Sequence, residues 1–123
     1  MRLDAVSEIL EASLLTGQGQ LASEVQFACA SDLMSDVLAF SLPDALLLTG
    51  LTTVQVIYTA EMAALKAVCF VRGKKPPAAA LALAEARGIV VLSSGLPMFE
   101  CCGRLYAQGL RGCHPLAPRN NRA

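Results

Sequence analysis

Between residues 45 and 108 the chain repeats one order of segments three times: a short apolar run, a turn of small or polar residues, and a helical pattern. The apolar runs are residues 45–48, 67–71 and 89–92. Continuous apolar runs, rather than alternating ones, are typical of parallel strands that are buried on both faces of a sheet. The sequence therefore predicts an α/β fold, a single domain with a mainly parallel central sheet and crossover helices on its faces.

Helical patterns precede, separate and follow these runs. Residues 3–15 carry apolar side chains at the spacing of a helix with one buried face, and residues 25–30 form a strand-like run. Ser31 and Asp32 are expected to cap the next helix, because short polar side chains accept hydrogen bonds from the first free amides. The other predicted helices cover residues 33–40, 53–65, 77–87 and 98–108.

Length and composition predict one domain that pairs with a second copy. The chain has 123 residues, enough for a single core, and 54% of them are hydrophobic while only 16% are charged. So apolar a chain is expected to expose apolar side chains, which a homodimer would cover. The domain is predicted over residues 1–110, and residues 111–123, with three arginines and two prolines, are predicted to form a flexible basic tail.

Charge and hydropathy exclude several classes of protein. Ten basic and ten acidic residues give a net charge of zero, and the few aromatic residues are not interleaved with basic ones, so nucleic-acid binding is not expected. No apolar stretch approaches the roughly twenty residues that a membrane span needs, and the N-terminus does not resemble a secretory signal. The five cysteines are expected to be reduced thiols, and the predicted location is the cytoplasm.

Motifs of the common nucleotide-dependent enzymes are absent from the sequence. Gly73-Lys74 is followed by Lys75 and has no glycine five positions earlier, so it is not a phosphate-binding loop of the NTPase type. No G-x-G-x-x-G dinucleotide motif occurs either. The single histidine, His114, lies in the predicted tail, which disfavours a histidine base. The sequence therefore predicts a non-catalytic protein without a cofactor.

The sequence contains two groups of residues that could in principle bind a metal ion. Cys101 and Cys102, together with residues 113–114, would supply zinc ligands, but adjacent residues on a helix point about 100° apart and rarely bind one ion. Asp32 and Asp36 share a helix face, where a cap and a solvated carboxylate are the simpler interpretation. No metal site is predicted.

Polar loops follow each of the three apolar runs. Residues 72–76 bring Arg72, Lys74 and Lys75 to the end of a strand, ahead of a helix whose first amides would be free, an arrangement that suits an anion. The alternative is a solvated turn in which Gly73 serves the backbone conformation. Because parallel strands end at one edge of their sheet, the loops are expected to form a common polar rim. The predicted ligand-binding residues are Ser31, Asp32, Thr49, Gly50, Thr52, Arg72, Gly73, Lys74, Ser93 and Ser94.

Four stretches of the chain together resemble the DRTGG domain family. They are residues 29–37, 48–52, 70–76 and 98–106. The family takes its name from an Asp-Arg pair after one strand and Thr-Gly-Gly after the next. In this chain Leu51-Thr52 stands in place of the first pair and residues 72–74 stand in place of the second, so only the glycine at position 73 is retained.

The resemblance implies an α/β fold similar to the N-terminal domain of HPr kinase/phosphorylase. It implies a regulatory or dimerising role, since such domains accompany CBS domains in some pyrophosphatases and also occur in phosphotransacetylases. Some stand-alone members are encoded near iron hydrogenase components. The predicted function is therefore a dimeric regulatory or adaptor domain that binds an anionic metabolite or nucleotide at the strand-end loops. The alternative is a structural scaffold whose partner protein is a redox enzyme of the hydrogenase type.

Overall fold

The computed structural model describes residues 1–113, which form five helices, six strands and one short 3-10 turn. In chain order the elements are α1 (Leu3–Ile9), β1 (Ala12–Thr16), the 3-10 turn (Gln18–Gln20), β2 (Phe27–Ala30), α2 (Met34–Phe40), β3 (Leu46–Thr49), α3 (Val54–Met62), β4 (Ala67–Phe70), α4 (Ala78–Arg87), β5 (Val90–Ser94), α5 (Met98–Ala107) and β6 (Arg111–Gly112). Within residues 1–113, no helix combines the length and the apolar character that crossing a membrane would require.

The strands form one sheet in the order β1-β5-β4-β3-β2-β6. Every neighbouring pair is parallel except β1 and β5, which are antiparallel. The predicted fold class, a single α/β domain with a mainly parallel sheet, is confirmed. The three apolar runs that predicted it became β3, β4 and β5 at the centre of the sheet, where both faces are covered.

The two faces of the sheet are packed against different helices. Leu47 and Val68 lie in a core with α2, α3 and α4, whereas Leu46 and Leu48 lie in a second core with α1 and α5. Successive residues of a strand point to opposite faces, so a strand between two cores needs an apolar residue at every position. This requirement explains why the central strands read as unbroken apolar runs.

The helix predicted over residues 3–15 is wrong beyond its first half. Helix α1 ends at Ile9, and the chain turns at Glu11, which adopts a left-handed φ of 51°. Residues Ala12–Thr16 then form β1 and pair antiparallel with β5. The apolar spacing predicts α1 correctly, but pairing with a strand nearly eighty residues away is not visible in a local pattern.

A threonine completes the pairing of β1 at an irregular point. The register of β1 against β5 shifts between Leu14 and Thr16. At this bulge the Thr16 hydroxyl donates to the Ile89 carbonyl over 2.8 Å and accepts from the Val91 amide over 3.0 Å. The side chain thereby replaces backbone partners that the bulge removes.

The folded unit extends past residue 110 into the segment predicted to be a tail. Arg111–Gly112 pair with β2, and the Cys113 amide donates to the Ala28 carbonyl over 3.1 Å. Leu110 and Cys113 are both buried. The rest of the predicted tail, including His114, lies outside the described residues.

Candidate functional site

The loops that follow β2, β3, β4 and β5 lie at one edge of the sheet, because these four strands are parallel and adjacent. The register aligns Thr49 with Phe70 and Phe70 with Ser93, so the strands end at the same level. We call residues 31–32, 49–53, 72–75 and 93–95, which lie at this edge, the strand-end rim.

Backbone hydrogen bonds tie the loops of the rim together. The Val71 amide donates to the Thr49 carbonyl over 3.0 Å, linking the ends of β3 and β4. The Arg72 amide donates to the Leu96 carbonyl and the Gly73 amide to the Ser94 carbonyl, each over 2.8 Å. The loop after β4 is therefore fixed on both sides.

Residues 71–74 form a tight turn with an uncommon backbone. Arg72 and Gly73 have φ values of 62° and 68°, and the Lys74 amide closes the turn on the Val71 carbonyl over 3.3 Å. Two consecutive left-handed residues inside such a hydrogen bond are typical of a type I′ turn, which favours glycine or asparagine at both central positions. Arginine at the first of them costs about 1–2 kcal/mol of backbone strain.

The amides of this turn are not available to an anion. Those of Arg72, Gly73 and Lys74 are all used by carbonyls within the fold. The side chains of Arg72, Lys74 and Lys75 are exposed, and none lies within 4.0 Å of a carboxylate of residues 1–113. The contribution of Arg72 and Lys74 to anion binding is therefore the charge of their side chains and not their backbone amides.

Asp32 holds the neighbouring loop instead of capping α2. One of its carboxylate oxygens, Oδ1, accepts from the Thr49 hydroxyl over 2.9 Å and from the Gly50 amide over 2.7 Å. The Gly50 amide, then the Thr49 hydroxyl and the charge of Lys74, lower the pKa of Asp32, although partial burial opposes them. The carboxylate is thus ionised at neutral pH and pins the loop after β3 to the loop after β2.

The capping role predicted for Ser31 and Asp32 is wrong in its geometry. The N-cap position of α2 is Leu33, and no side chain caps the helix. Ser31 Oγ accepts from the Leu33 amide over 3.0 Å, which forms a small local turn before the helix starts. Asp32 instead accepts from Thr49, the last residue of β3, and from Gly50 in the loop that follows, long-range contacts that local spacing does not reveal.

Two of the predicted ligand-binding hydroxyls are buried and fully used. Thr49 is 0% exposed, and its oxygen also accepts from the Leu51 amide over 3.1 Å. Ser94 is 0% exposed, donates to the Leu10 carbonyl over 2.7 Å and accepts from the Leu96 amide over 3.1 Å. Both hydroxyls stabilise the loops from within and do not face the rim surface.

The remaining rim residues are accessible. Ser31, Thr52 and Ser93 are half-buried, and the Ser93 hydroxyl donates to the Lys74 carbonyl over 3.4 Å. Gly50 is another predicted ligand-binding residue of the rim. It has no left-handed φ, and a Cβ built at this position would lie 3.6 Å from Asp32, which is an ordinary contact. Lys75 belongs to the same cationic loop and is not among the predicted ligand-binding residues, although its place next to Lys74 is the signal that would have identified it.

Thiols and carboxylates do not gather into a metal centre in the described part of the chain. No three His, Cys, Asp or Glu side chains of residues 1–113 lie close enough to hold an ion. Burial raises the pKa of Cys69 to about 12, and burial together with the adjacent Cys113 raises that of Cys29 to about 12. Burial also raises the pKa of Cys101 and Cys102. These four thiols are therefore protonated and weakly nucleophilic at neutral pH.

Comparison with known proteins bears on the fold. No protein-family model and no curated protein matches the chain. Among solved structures, the chain is similar to the crystal structure of the CBS and DRTGG domains of the regulatory region of Clostridium perfringens pyrophosphatase, complexed with its activator diadenosine tetraphosphate. The TM-score is 0.72 at 15% sequence identity, and the match covers 99% of this chain. This chain spans about half, 53%, of the length of the other. The likeness supports a DRTGG-like fold.

Proposed function

We propose that this chain is a non-catalytic regulatory domain of the DRTGG family that binds an anionic metabolite, such as a nucleotide, at the strand-end rim. The observation that carries the proposal is Arg72, an arginine in a left-handed backbone conformation whose side chain has no carboxylate partner among residues 1–113. Strained residues persist where the surrounding structure holds them, and they cluster at ligand sites. A glycine or asparagine would relieve the strain, and this supports a role for the guanidinium in binding.

The charge balance of the rim also favours an anion. Three exposed cations, Arg72, Lys74 and Lys75, stand against one carboxylate, Asp32, whose charge is already engaged by two hydrogen bonds. A guanidinium binds phosphate through two parallel hydrogen bonds, and lysine adds a point charge. Thr52 and Ser93 supply hydroxyls at the same edge for the uncharged part of a ligand.

The structural likeness makes nucleotides the first class to test. The pyrophosphatase structure is that of a regulatory region with a dinucleotide activator. This chain shares its fold with that structure, and the open cations of the rim fit phosphate groups. Five free thiols within residues 1–113 favour a reducing compartment, and we place the protein in the cytoplasm.

The test is a thermal melt with adenine nucleotides and inorganic phosphate, compared with sodium chloride at equal ionic strength. A ligand that binds the folded state and not the unfolded state raises Tm, and the stabilisation grows with the logarithm of one plus the ratio of ligand concentration to Kd. The variant Arg72→Asn with Lys74→Gln should lose the rise, because asparagine tolerates the left-handed backbone while both charges disappear. Lys66→Gln, a cation just before β4 at the opposite end of the sheet, should keep it. If neither nucleotides nor phosphate move the Tm of the wild type, the proposal fails.

A second candidate function, a dimeric scaffold for a redox enzyme, is favoured by the apolar face of α2 and α3. These helices pack together and expose Leu38, Tyr58 and Met62, the last with 73% of its surface accessible. We propose this α2–α3 face as the homodimer interface. Light scattering after size exclusion tests it: Leu38→Glu with Met62→Lys should yield a monomer from a dimeric wild type. A wild type that co-purifies with a stoichiometric redox enzyme and binds neither nucleotide nor phosphate would favour the scaffold over the regulatory domain.

A further inference from the structure

An apolar cleft lies beside α5, and the residues that line it do not belong to the strand-end rim. Helix α5 packs over β3, and the two strands beyond it carry only small residues on the same face: Ala28 and Ala30 on β2, and Gly112 opposite Ala28 on β6. The space that these residues leave is a cavity of about 160 Å³, and none of the predicted ligand-binding residues lines it. We call it the α5 cleft.

The walls of the cleft are apolar. Leu48 and Leu105 contribute aliphatic surface, and Cys102 of α5 is half-buried at its side. Burial raises the pKa of the Cys102 thiol, so that this group is neutral and behaves as a small hydrophobic side chain. An apolar cavity of about 150 Å³ is large enough to bind one benzene ring. The α5 cleft therefore has the size and the lining for a single ring or a compact branched alkyl group.

A cation is held at the mouth of the cleft. The Arg111 guanidinium carbon lies 4.2 Å from the centre of the Tyr106 ring, and Nη1 donates to the Tyr106 and Leu110 carbonyls over 3.1 and 3.2 Å. Tyr106 is 60% exposed, so the stacked pair lies at the surface. Both hydrogen bonds use Nη1, which leaves Nε and Nη2 without a partner among residues 1–113, and no carboxylate of that segment lies within 4.0 Å.

We propose that the α5 cleft is a second ligand site, which takes a small organic acid with one aromatic or branched aliphatic group. The apolar group enters the cleft above Ala28, Ala30 and Gly112, and the carboxylate pairs with the free edge of the Arg111 guanidinium. The stack on Tyr106 and the two carbonyl bonds hold the guanidinium before the ligand arrives, so little side-chain entropy is lost on binding. No covalent step is involved.

Alkylation of Cys102 by iodoacetamide at mildly alkaline pH, where part of this thiol is ionised despite its raised pKa, reports occupancy of the cleft, and peptide mass spectrometry locates the label. The probes are phenylacetate, acetate, benzylamine and benzyl alcohol. Phenylacetate at ten times its Kd should slow labelling roughly tenfold, because only unoccupied protein reacts. Acetate lacks the ring and benzylamine carries the wrong charge, so neither should protect at the same concentration, and benzyl alcohol should protect less than phenylacetate.

Two variants test separately the role of the Arg111 cation and the role of the apolar cavity. Arg111→Gln should weaken protection by phenylacetate to the level of benzyl alcohol, whereas Arg87→Gln, a surface arginine on α4, should leave it unchanged. Ala30→Leu changes an exposed residue and fills the cleft, and should abolish protection by phenylacetate and by benzyl alcohol. The proposal is overturned if phenylacetate does not protect the wild type, if all ring compounds protect equally, or if Ala30→Leu retains full protection.

Discussion

The strand-end rim and the α5 cleft differ in what each offers to a ligand. The rim is polar and built from the ends of central strands, the amides of Arg72, Gly73 and Lys74 are used within the fold, and the cationic turn contributes the charge of exposed side chains. The cleft is apolar, built from small residues at the outer edge of the sheet, and has one cation fixed at its mouth. Exposed charge attracts many anions weakly and is screened by salt, whereas a shaped apolar cavity selects by size.

The largest expected effect comes from the wall of the cleft. Leu105 is buried at 2% exposure between α5 and the sheet, so Leu105→Ala should lower the free energy of unfolding by about 2–5 kcal/mol. Urea unfolding measures the loss. Leu105→Ala should also alter how strongly phenylacetate slows the alkylation of Cys102. It should leave the phosphate-induced rise in Tm unchanged. A parallel loss of both responses would mean that the two sites are not independent.

The next effect tests whether the rim depends on its buried hydroxyl. Thr49→Val removes the donor to Asp32 and the acceptor for the Leu51 amide, and should cost about 1–3 kcal/mol because a charged carboxylate and a partly buried amide each lose a hydrogen bond. Thr52→Val, at a half-buried position of the same loop, is the matched control and should be close to neutral. Equal effects of the two variants in urea unfolding would contradict the structural role of Thr49.

A smaller effect, of opposite sign, comes from the strained arginine. Arg72→Gly should stabilise the domain by roughly 1 kcal/mol, because glycine adopts a φ of 62° without strain, although part of that gain is offset in the unfolded chain. The phosphate-induced rise in Tm should shrink in the same variant. A variant that is more stable than the wild type but responds less to phosphate would indicate that this turn binds an anion, which an ordinary turn does not. A variant less stable than the wild type would argue that the side chain serves packing.

The smallest effect is the pH dependence that Asp32 confers. Its pKa is lowered in the folded state, chiefly by the Gly50 amide, so its contribution to stability is present above the unfolded-state pKa. That contribution is lost as the pH falls through the lowered folded-state value. Asp32→Asn should therefore flatten the acid side of the curve of stability against pH, with little difference between variant and wild type at the lowest pH. Asp36→Asn, exposed on α2, serves as the control.

The sequence alone predicted the three central strands of the sheet and the loops after them that form part of the strand-end rim. The apolar runs at 45–48, 67–71 and 89–92 predicted three buried parallel strands, and parallel strands bring their following loops to one edge. These inferences succeeded because burial on both faces leaves a local trace in every residue of the strand. The cations at 72–75 were found for the same reason, since their position follows directly from the strand before them.

Only the tertiary structure decided how the predicted site residues are used. Asp32 and Thr49 bind each other across seventeen positions, and Ser94 bonds to Leu10 across eighty-four. These contacts consume polar groups that the sequence could only count as available.

The edges of the sheet were likewise settled by long-range pairing. Strand β1 arose inside a helical pattern, and β6 arose inside a segment expected to be a tail. The α5 cleft depends on Ala28 lying beside Gly112, a neighbour fixed by strand order alone. A local pattern records whether a residue is buried, but hydrogen bonds and cavities depend on which distant segment becomes its neighbour, and the folded chain alone determines that.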